Sequence, residues 1–387
     1  MSKVLFTYEK MIPTVQLLRE KYCGHRDFSC DFKKIVEVCE SDIDTHDVLV
    51  FIRPSDPLTL AIAKKAKQAG AFTVFYIDDD LLALPSTHSL SRNRKKRIIK
   101  IANQCEIVLA ANPYICQKYA VFVRSHRFAL TITSVEYLDE LAINTKLSSG
   151  DEKPVKLVYA AGKGHESLFF KYIEPILSEL DKRYSTNISL DFVGVAPAFN
   201  LESFTMSIQY IPSMPLLKYR ELMSSKQYDI GIAPLEESIF SKAKHYNKYI
   251  EYTAAGVVGV YSNVEPYTNA IIDGYNGVLA NNTHNDWKRA LIRLIDDKNL
   301  RREILKNSAE HIKINYTVDA FLKKLRNDLP EFFEYNEQRY PTQCLLFYKI
   351  IYKIYRLYDL FLLVSFYIKR EGFNALLVKL NNFLRRD

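Results

Sequence analysis

Short apolar runs punctuate this chain at a regular beat. They fall near 3–7, 47–52, 72–77 and 106–110, and again near 155–160, 188–193, 229–233 and 257–261. Each predicts a strand, and segments of helical pattern stand between them, among them 57–69 and 92–104. Strand and helix in alternation is the βαβ rhythm of a parallel sheet. A polar stretch, NTKLSSGDEKP at 144–154, separates two halves with the same rhythm. The sequence from WKRALIRLIDD to about 328 is strongly helical. The pattern predicts an α/β protein with a first domain over 1–150, a second over 151–330 and an amphipathic helical tail over 331–387. No short-period repeat interrupts it.

The tail segment CLLFYKIIYKIYRLYDLFLLVSFYIKR carries Lys349, Lys353, Arg356 and Asp359 at spacings of 4, 3 and 3. That spacing draws a polar stripe along an otherwise apolar, tyrosine-rich helix. Spanning a bilayer would bury four charged groups at about 2.5–3.5 kcal/mol each. Lying in the interface keeps the stripe in water. The alternative is a helix packed on the protein's own core.

Charge sharpens this picture. The chain has a net charge of +8, yet SRNRKKRIIK alone contributes +6 through Arg92, Arg94, Lys95, Lys96, Arg97 and Lys100. Residues 339–387 hold nine basic and three acidic residues, another +6, so the remainder is slightly acidic. No nucleic-acid motif accompanies these clusters. An anionic membrane surface suits them better, with Arg92, Arg94, Lys95, Lys96, Arg97, Lys349, Lys353 and Arg356 as contacts.

At 387 residues, 48% of them hydrophobic, the chain can bury two cores. Cys23, Cys30, Cys39, Cys105, Cys116 and Cys344 form no CxxC pair and have no histidines at zinc spacing. They read as reduced core residues of a cytosolic protein. The opening SKVLFTYEK lacks the apolar region of a signal peptide. The first strand leads to no GxGxxG, which argues against a NAD-dependent dehydrogenase. The absence of a GxSxG elbow argues against a hydrolase.

The densest chemistry lies in KHYNKYIEYTAAGVVGVYSNVEPYTNAIIDGYNG, residues 244–277. It predicts a short helix, a glycine turn, a buried strand, a loop and a second glycine turn. Lys244, Lys248 and Glu251 at i, i+4 and i+7 share one helical face. Ala254, Ala255 and Gly256 end the helix with small residues and a left-handed cap. Two cations and a carboxylate near a helix terminus suit a ligand with phosphates and a sugar diol; an ordinary charged surface helix would show the same spacing. In GKGHES, Gly162 and Gly164 let backbone amides approach an anion beside Lys163, and His165 follows. Asp78, Asp79 and Asp80 stand at the carboxyl end of the strand FTVFYI, where ligands of parallel sheets bind. Acceptor recognition or a structural turn is favoured there over metal binding.

Residues 244–277 resemble the donor-binding part of GT-B glycosyltransferases, close to the family-4 retaining enzymes. PVKLVYAAGKGHESLFFKYIEPILSEL is similar to the opening of that family's second Rossmann-like domain, and YDIGIAPLEES to the strand before the lysine helix. VLVFIRP, FTVFYIDDDLLALP and CEIVLAANPYICQKYA match parts of the first domain. The resemblance implies a GT-B fold, two Rossmann-like parallel-sheet domains facing a cleft. It further implies a nucleotide-sugar donor, no cofactor and no metal, transfer with retention, and closure that excludes water. Glu251 matches the final Glu of the family's E-x7-E motif, which contacts the ribose. The first Glu falls at Ala243 and is absent, so Lys244 next door carries part of its role. Lys244, Glu251 and His165 are the implied catalytic residues. Gly162, Lys163, Gly164, Lys248, Tyr252 and Gly256 would hold the donor, and Asp78, Asp79 and Asp80 lie on the acceptor side. With the basic segments, the acceptor expected is a membrane-proximal or lipid-linked glycan of cell-surface polysaccharide synthesis, met on the inner face of the cell membrane. A nucleotide-sugar epimerase of the same fold, or a non-catalytic partner subunit, would share these features.

Overall fold

The computed structural model describes residues 1–27, 29–83, 90–124, 127–132, 136–148, 154–162, 166–342 and 344–371. The chain forms two compact units, Met1–Thr131 with Leu325–Asp387, and Ile132–Lys324.

The first unit is built on a parallel sheet of β1 (Lys3–Tyr8), β2 (Ser29–Lys34), β3 (Val48–Ile52), β4 (Phe72–Ile77), β5 (Ile107–Ala110) and β6 (Arg127–Leu130). Their order is β2-β1-β3-β4-β5-β6. Strands β3, β4 and β5 are buried at every position, as expected of a parallel sheet covered on both faces. The chain winds one way from β1 to β2 and the other way from β3 onward, so the sheet switches direction between β1 and β3. Helix Pro57–Gln68 starts at a cap in which Asp56 accepts from the Thr59 amide at 2.8 Å, with proline in the first turn.

The segment after 324 returns to this unit, which the sequence pattern did not anticipate. Phe332 is buried against Phe6 and Tyr22, and Glu331 receives both ends of the Arg127 guanidinium at 2.8 Å. Arg339 donates to the carbonyls of His46 at 2.6 Å, Ala69 at 3.1 Å and Ile43. Residues 325–345 are therefore a strap that completes the first domain rather than the start of a free tail.

The second unit holds β7 (Val155–Ala160), β8 (Ile188–Val193), β9 (Ser207–Ile211), β10 (Ile230–Ala233), β11 (Val258–Ser262) and β12 (Val278–Ala280). All pair in parallel in the order β12-β11-β10-β7-β8-β9, with the switch between β7 and β10. Its core packs Trp287, Leu291 and Leu294 of helix His284–Asp296 with Phe169, Phe192 and Val260. Part of the expected linker belongs here too. Helix Glu140–Ser148 buries Ala142 and Ile143, and Lys146 pairs with Asp229 at 3.1 Å while donating to the carbonyls of Gln227 and Tyr228. The boundary thus falls at 131/132, not at 150. The cysteines also depart from expectation: of the six only Cys105 is buried, while Cys23 and Cys344 are exposed. Cys23 and Cys30, apart in sequence, bring their sulfurs to 3.4 Å.

Candidate functional site

In open parallel sheets, ligands bind beyond the carboxyl ends of the strands where the winding reverses. In the second unit that place is the end of β7, Ala160-Ala161-Gly162, beside the end of β10 at Ala233. Among the described residues, a Cβ placed on Gly162 would meet nothing within 4 Å. Lys163, Gly164 and His165, the next three candidates, lie outside the described residues. Gly194, at the end of neighbouring β8, has φ +89°, and a Cβ there would sit 2.5 Å from the Ala161 carbonyl oxygen. Glycine at this position lets β8 approach the β7 loop; its place directly after a strand was the signal for it.

Tyr252 lies beneath the switch point, with no exposed surface. Its hydroxyl donates to the Ile232 carbonyl at 3.1 Å and receives the Ala160 amide at 3.4 Å, tying β10 to β7. Burial drives its phenol pKa well above the ordinary value, so it stays a neutral donor. The ring fills the space over Gly231, where a Cβ would come within 2.3 Å of it. Tyr252 therefore holds the carboxyl ends of β7 and β10 together from within the core and presents no surface of its own.

Helix Asn247–Ala254 begins only after Tyr246, so Lys244 is not on it. Lys244 sits in a turn, its amide bonded to the Ser241 carbonyl at 3.0 Å and its ammonium 5.1 Å from the Phe240 ring. The expected three-residue stripe reduces to Lys248 and Glu251 at i, i+3. Their ammonium and carboxylate meet at 2.6 Å, 28% and 22% exposed. Burial, the largest single influence, works against the Lys248 ammonium, but the Glu251 charge and hydrogen bond together with Tyr252 and Tyr267 outweigh it, and the lysine pKa ends above its ordinary 10.5. Tyr219, which no sequence signal singled out, receives Lys248 at 3.3 Å and donates to Glu251 at 3.4 Å. Every one of these bonds to Glu251 falls on Oε2; among the described residues none falls on Oε1. Glu251 also lines a cavity of about 60 Å³ with Glu136, Tyr219, Arg220 and Met223, far smaller than a ligand pocket of roughly 300–1,000 Å³.

The helix ends as its sequence predicts. Gly256 has φ +72°, its amide bonds the Thr253 carbonyl at 2.9 Å, and the Val257 amide bonds that of Tyr252 at 2.8 Å. The second glycine turn is held by buried Asn276. It receives the Ile272 amide at 2.7 Å and donates to the Ala270 carbonyl and the Tyr249 hydroxyl at 3.0 and 3.1 Å. Ala243, where the motif's first Glu is missing, is buried.

In the first unit the three aspartates divide into different roles. Asp80 is buried and paired with Lys118. Asp79 and Asp78 share the Arg53 guanidinium at 2.9 and 3.3 Å, and Thr14 donates to Asp78 at 2.6 Å. Burial raises the Asp78 pKa against the pull of Arg53. Arg53 ends β3 with φ +47°, a conformation uncommon for a side-chain-bearing residue and often found at functional sites. Arg97, expected at a membrane, instead donates to the Ser55 carbonyl and the Tyr355 hydroxyl, both at 2.8 Å. Arg94 and Lys96 are exposed, Lys95 is half-buried, and the side chains of Arg92 and Asp359 lie outside the described residues.

No protein-family model matches the chain, and no curated protein matches it by sequence. Solved structures match it by shape. HepE of Anabaena in complex with UDP-glucose is 12% identical, with a TM-score of 0.60 over 85% of this chain and 100% of that one. Sucrose-phosphate synthase of Thermosynechococcus elongatus is 11% identical, with a TM-score of 0.57 over 86% and 99%. A glycosyltransferase of Rickettsia africae is 12% identical, with a TM-score of 0.56 over 87% and 99%. Two six-stranded parallel sheets, each with its winding reversed at one interior strand pair, and matches that run almost the full length of these neighbours lead to one conclusion: by fold, this chain is a GT-B protein.

Proposed function

We propose that this protein is a glycosyltransferase that moves a sugar from a nucleotide-sugar to an acceptor. The observation that carries this reading is Glu251, a carboxylate anchored through one oxygen by Lys248 and Tyr219 while the other takes no bond among the described residues. An oxygen so held suits a ribose diol, and HepE, of the same fold, binds UDP-glucose. Lys248, committed to Glu251, acts by fixing that carboxylate. Lys244, Lys163, His165 and the amides around Gly162 and Gly164 then meet the diphosphate, whose negative charge grows as the sugar leaves. Transfer proceeds with retention and without a metal. Asp78 and Asp79, held by Arg53, recognise the acceptor, a lipid-linked or membrane-proximal glycan of surface polysaccharide synthesis on the inner face of the cell membrane.

A thermal-shift screen against UDP-, GDP- and dTDP-sugars, followed by transfer assays with labelled donor, tests the reading. A bound donor at 100 times its dissociation constant stabilises by about 2.7 kcal/mol. Turnover only with acceptor supports a transferase, conversion of donor alone an epimerase. No shift and no turnover would leave a non-catalytic partner, a role that Ala243 in the motif would suit.

A further inference from the structure

Helix Leu346–Glu371 has three faces. Tyr348, Tyr352 and Tyr355, at spacings of 4 and 3, are half-buried on its inner side. Lys65 lies over the Tyr348 ring at 6.0 Å, and Arg97 over the Tyr355 ring at 5.0 Å while bonded to its hydroxyl. Lys349, Lys353 and Arg356, again at spacings of 4 and 3, form one flank. The outer arc is Leu346, Ile350, Ile354, Leu357 and Phe361, exposed by 63%, 50%, 62%, 68% and 65%. Phe347, Ile351 and Tyr358 widen it. Among the described residues no helix is long and apolar enough to cross a membrane.

A continuous apolar arc of this size on a surface marks an interaction site. The flanking charge identifies its occupant. Lys353 and Arg356 are exposed beside the arc, and Arg94, Lys96 and Lys100 are exposed on helix Leu90–Ala102, to which Arg97 joins the tail. A protein partner would need acids to match each cation, whereas an anionic bilayer meets an apolar arc and a basic flank together. We propose that this outer arc inserts into the headgroup region of an anionic membrane, with Lys353 and Arg356 on the phosphates and the tyrosine face clamped to the first unit. The inference rests on the membrane acceptor proposed above and gives it a surface. Arg97 belongs to the clamp, which holds the helix parallel to the bilayer at a fixed place on the domain that recognises the acceptor.

The full chain, without donor, is floated with phosphatidylglycerol-rich vesicles and with pure phosphatidylcholine vesicles. Binding to the first that weakens with salt is expected. Ile354→Asp with Leu357→Asp should abolish it while melting stays unchanged. Lys353→Gln with Arg356→Gln should weaken it about thirtyfold, each charge near an anionic surface contributing ~1 kcal/mol. Three results would overturn the proposal: binding that the aspartate pair leaves intact, a vesicle-indifferent dimer that the pair dissolves, or a vesicle-indifferent monomer, in which residues 372–387 would cover the arc. Transfer to a soluble acceptor is measured separately. An active protein that ignores vesicles refutes only this inference, and a vesicle-bound protein without transferase activity refutes only the reading of the site.

Discussion

Replacing Glu251 by glutamine removes one charge and almost no volume, so it separates what the carboxylate does for the fold from what it does for a ligand. In the folded chain it sits 2.6 Å from the Lys248 ammonium, with both side chains less than a third exposed. An exposed pair contributes ~0.2–1 kcal/mol, and breaking a fully buried one costs about 3–5 kcal/mol. This half-buried pair falls between, at about 1–2 kcal/mol, which for a domain of this size lowers the melting temperature by roughly 2–8 °C. Because the pair raises the Lys248 pKa above 10.5, its contribution is complete below that pH and fades as pH rises through the folded value. The gap between wild type and variant should therefore be constant near neutrality and close on the alkaline side. A ribose hydroxyl that donates to the carboxylate should lose about 1.5–3 kcal/mol of affinity, read by titration with the nucleotide-sugar that the screen identifies. A variant that melts lower but binds donor equally well would reduce Glu251 to a structural ion pair. One that neither melts lower nor loses donor affinity would refute both roles.

Four further changes probe the scaffold. Tyr252→Phe removes the bonds to Ile232 and Ala160, should cost about 0.5–1.5 kcal/mol in chemical denaturation, and should loosen donor binding by shifting the β7 loop. Gly194→Ala should lower both stability and donor affinity, since φ is +89° and the methyl would press on the Ala161 carbonyl; unchanged titrations would show that this loop does not touch the donor. Arg339→Lys should melt much like Arg339→Ala, because one ammonium cannot reproduce a fork spread over three carbonyls. A protein ending at Leu345 should fold, whereas one ending at Gln338 should lose the first unit's strap and become sensitive to proteolysis.

The strands show what a sequence pattern can carry. The eight that the apolar runs marked are β1, β3, β4, β5, β7, β8, β10 and β11, all interior to their sheets. The four it missed, β2, β6, β9 and β12, are the four edges. An edge strand has a neighbour on one side only, so its residues stay partly wet and its sequence can be polar, as in SCDFKK and SIQYI. The same locality explains the rest. Gly256 was legible because a left-handed cap is a property of one residue, and the Lys248–Glu251 pair because it lies within one helical turn. Tyr219 reaches that pair from another helix, and Arg339 reaches carbonyls 270 to 296 residues earlier in the chain, so spacing along the chain could announce neither. The misplaced Lys244 is the opposite failure. Its spacing fits a helix, but the backbone at Tyr246, φ −80° and ψ 47°, starts the helix one residue later and leaves the lysine in the turn before it.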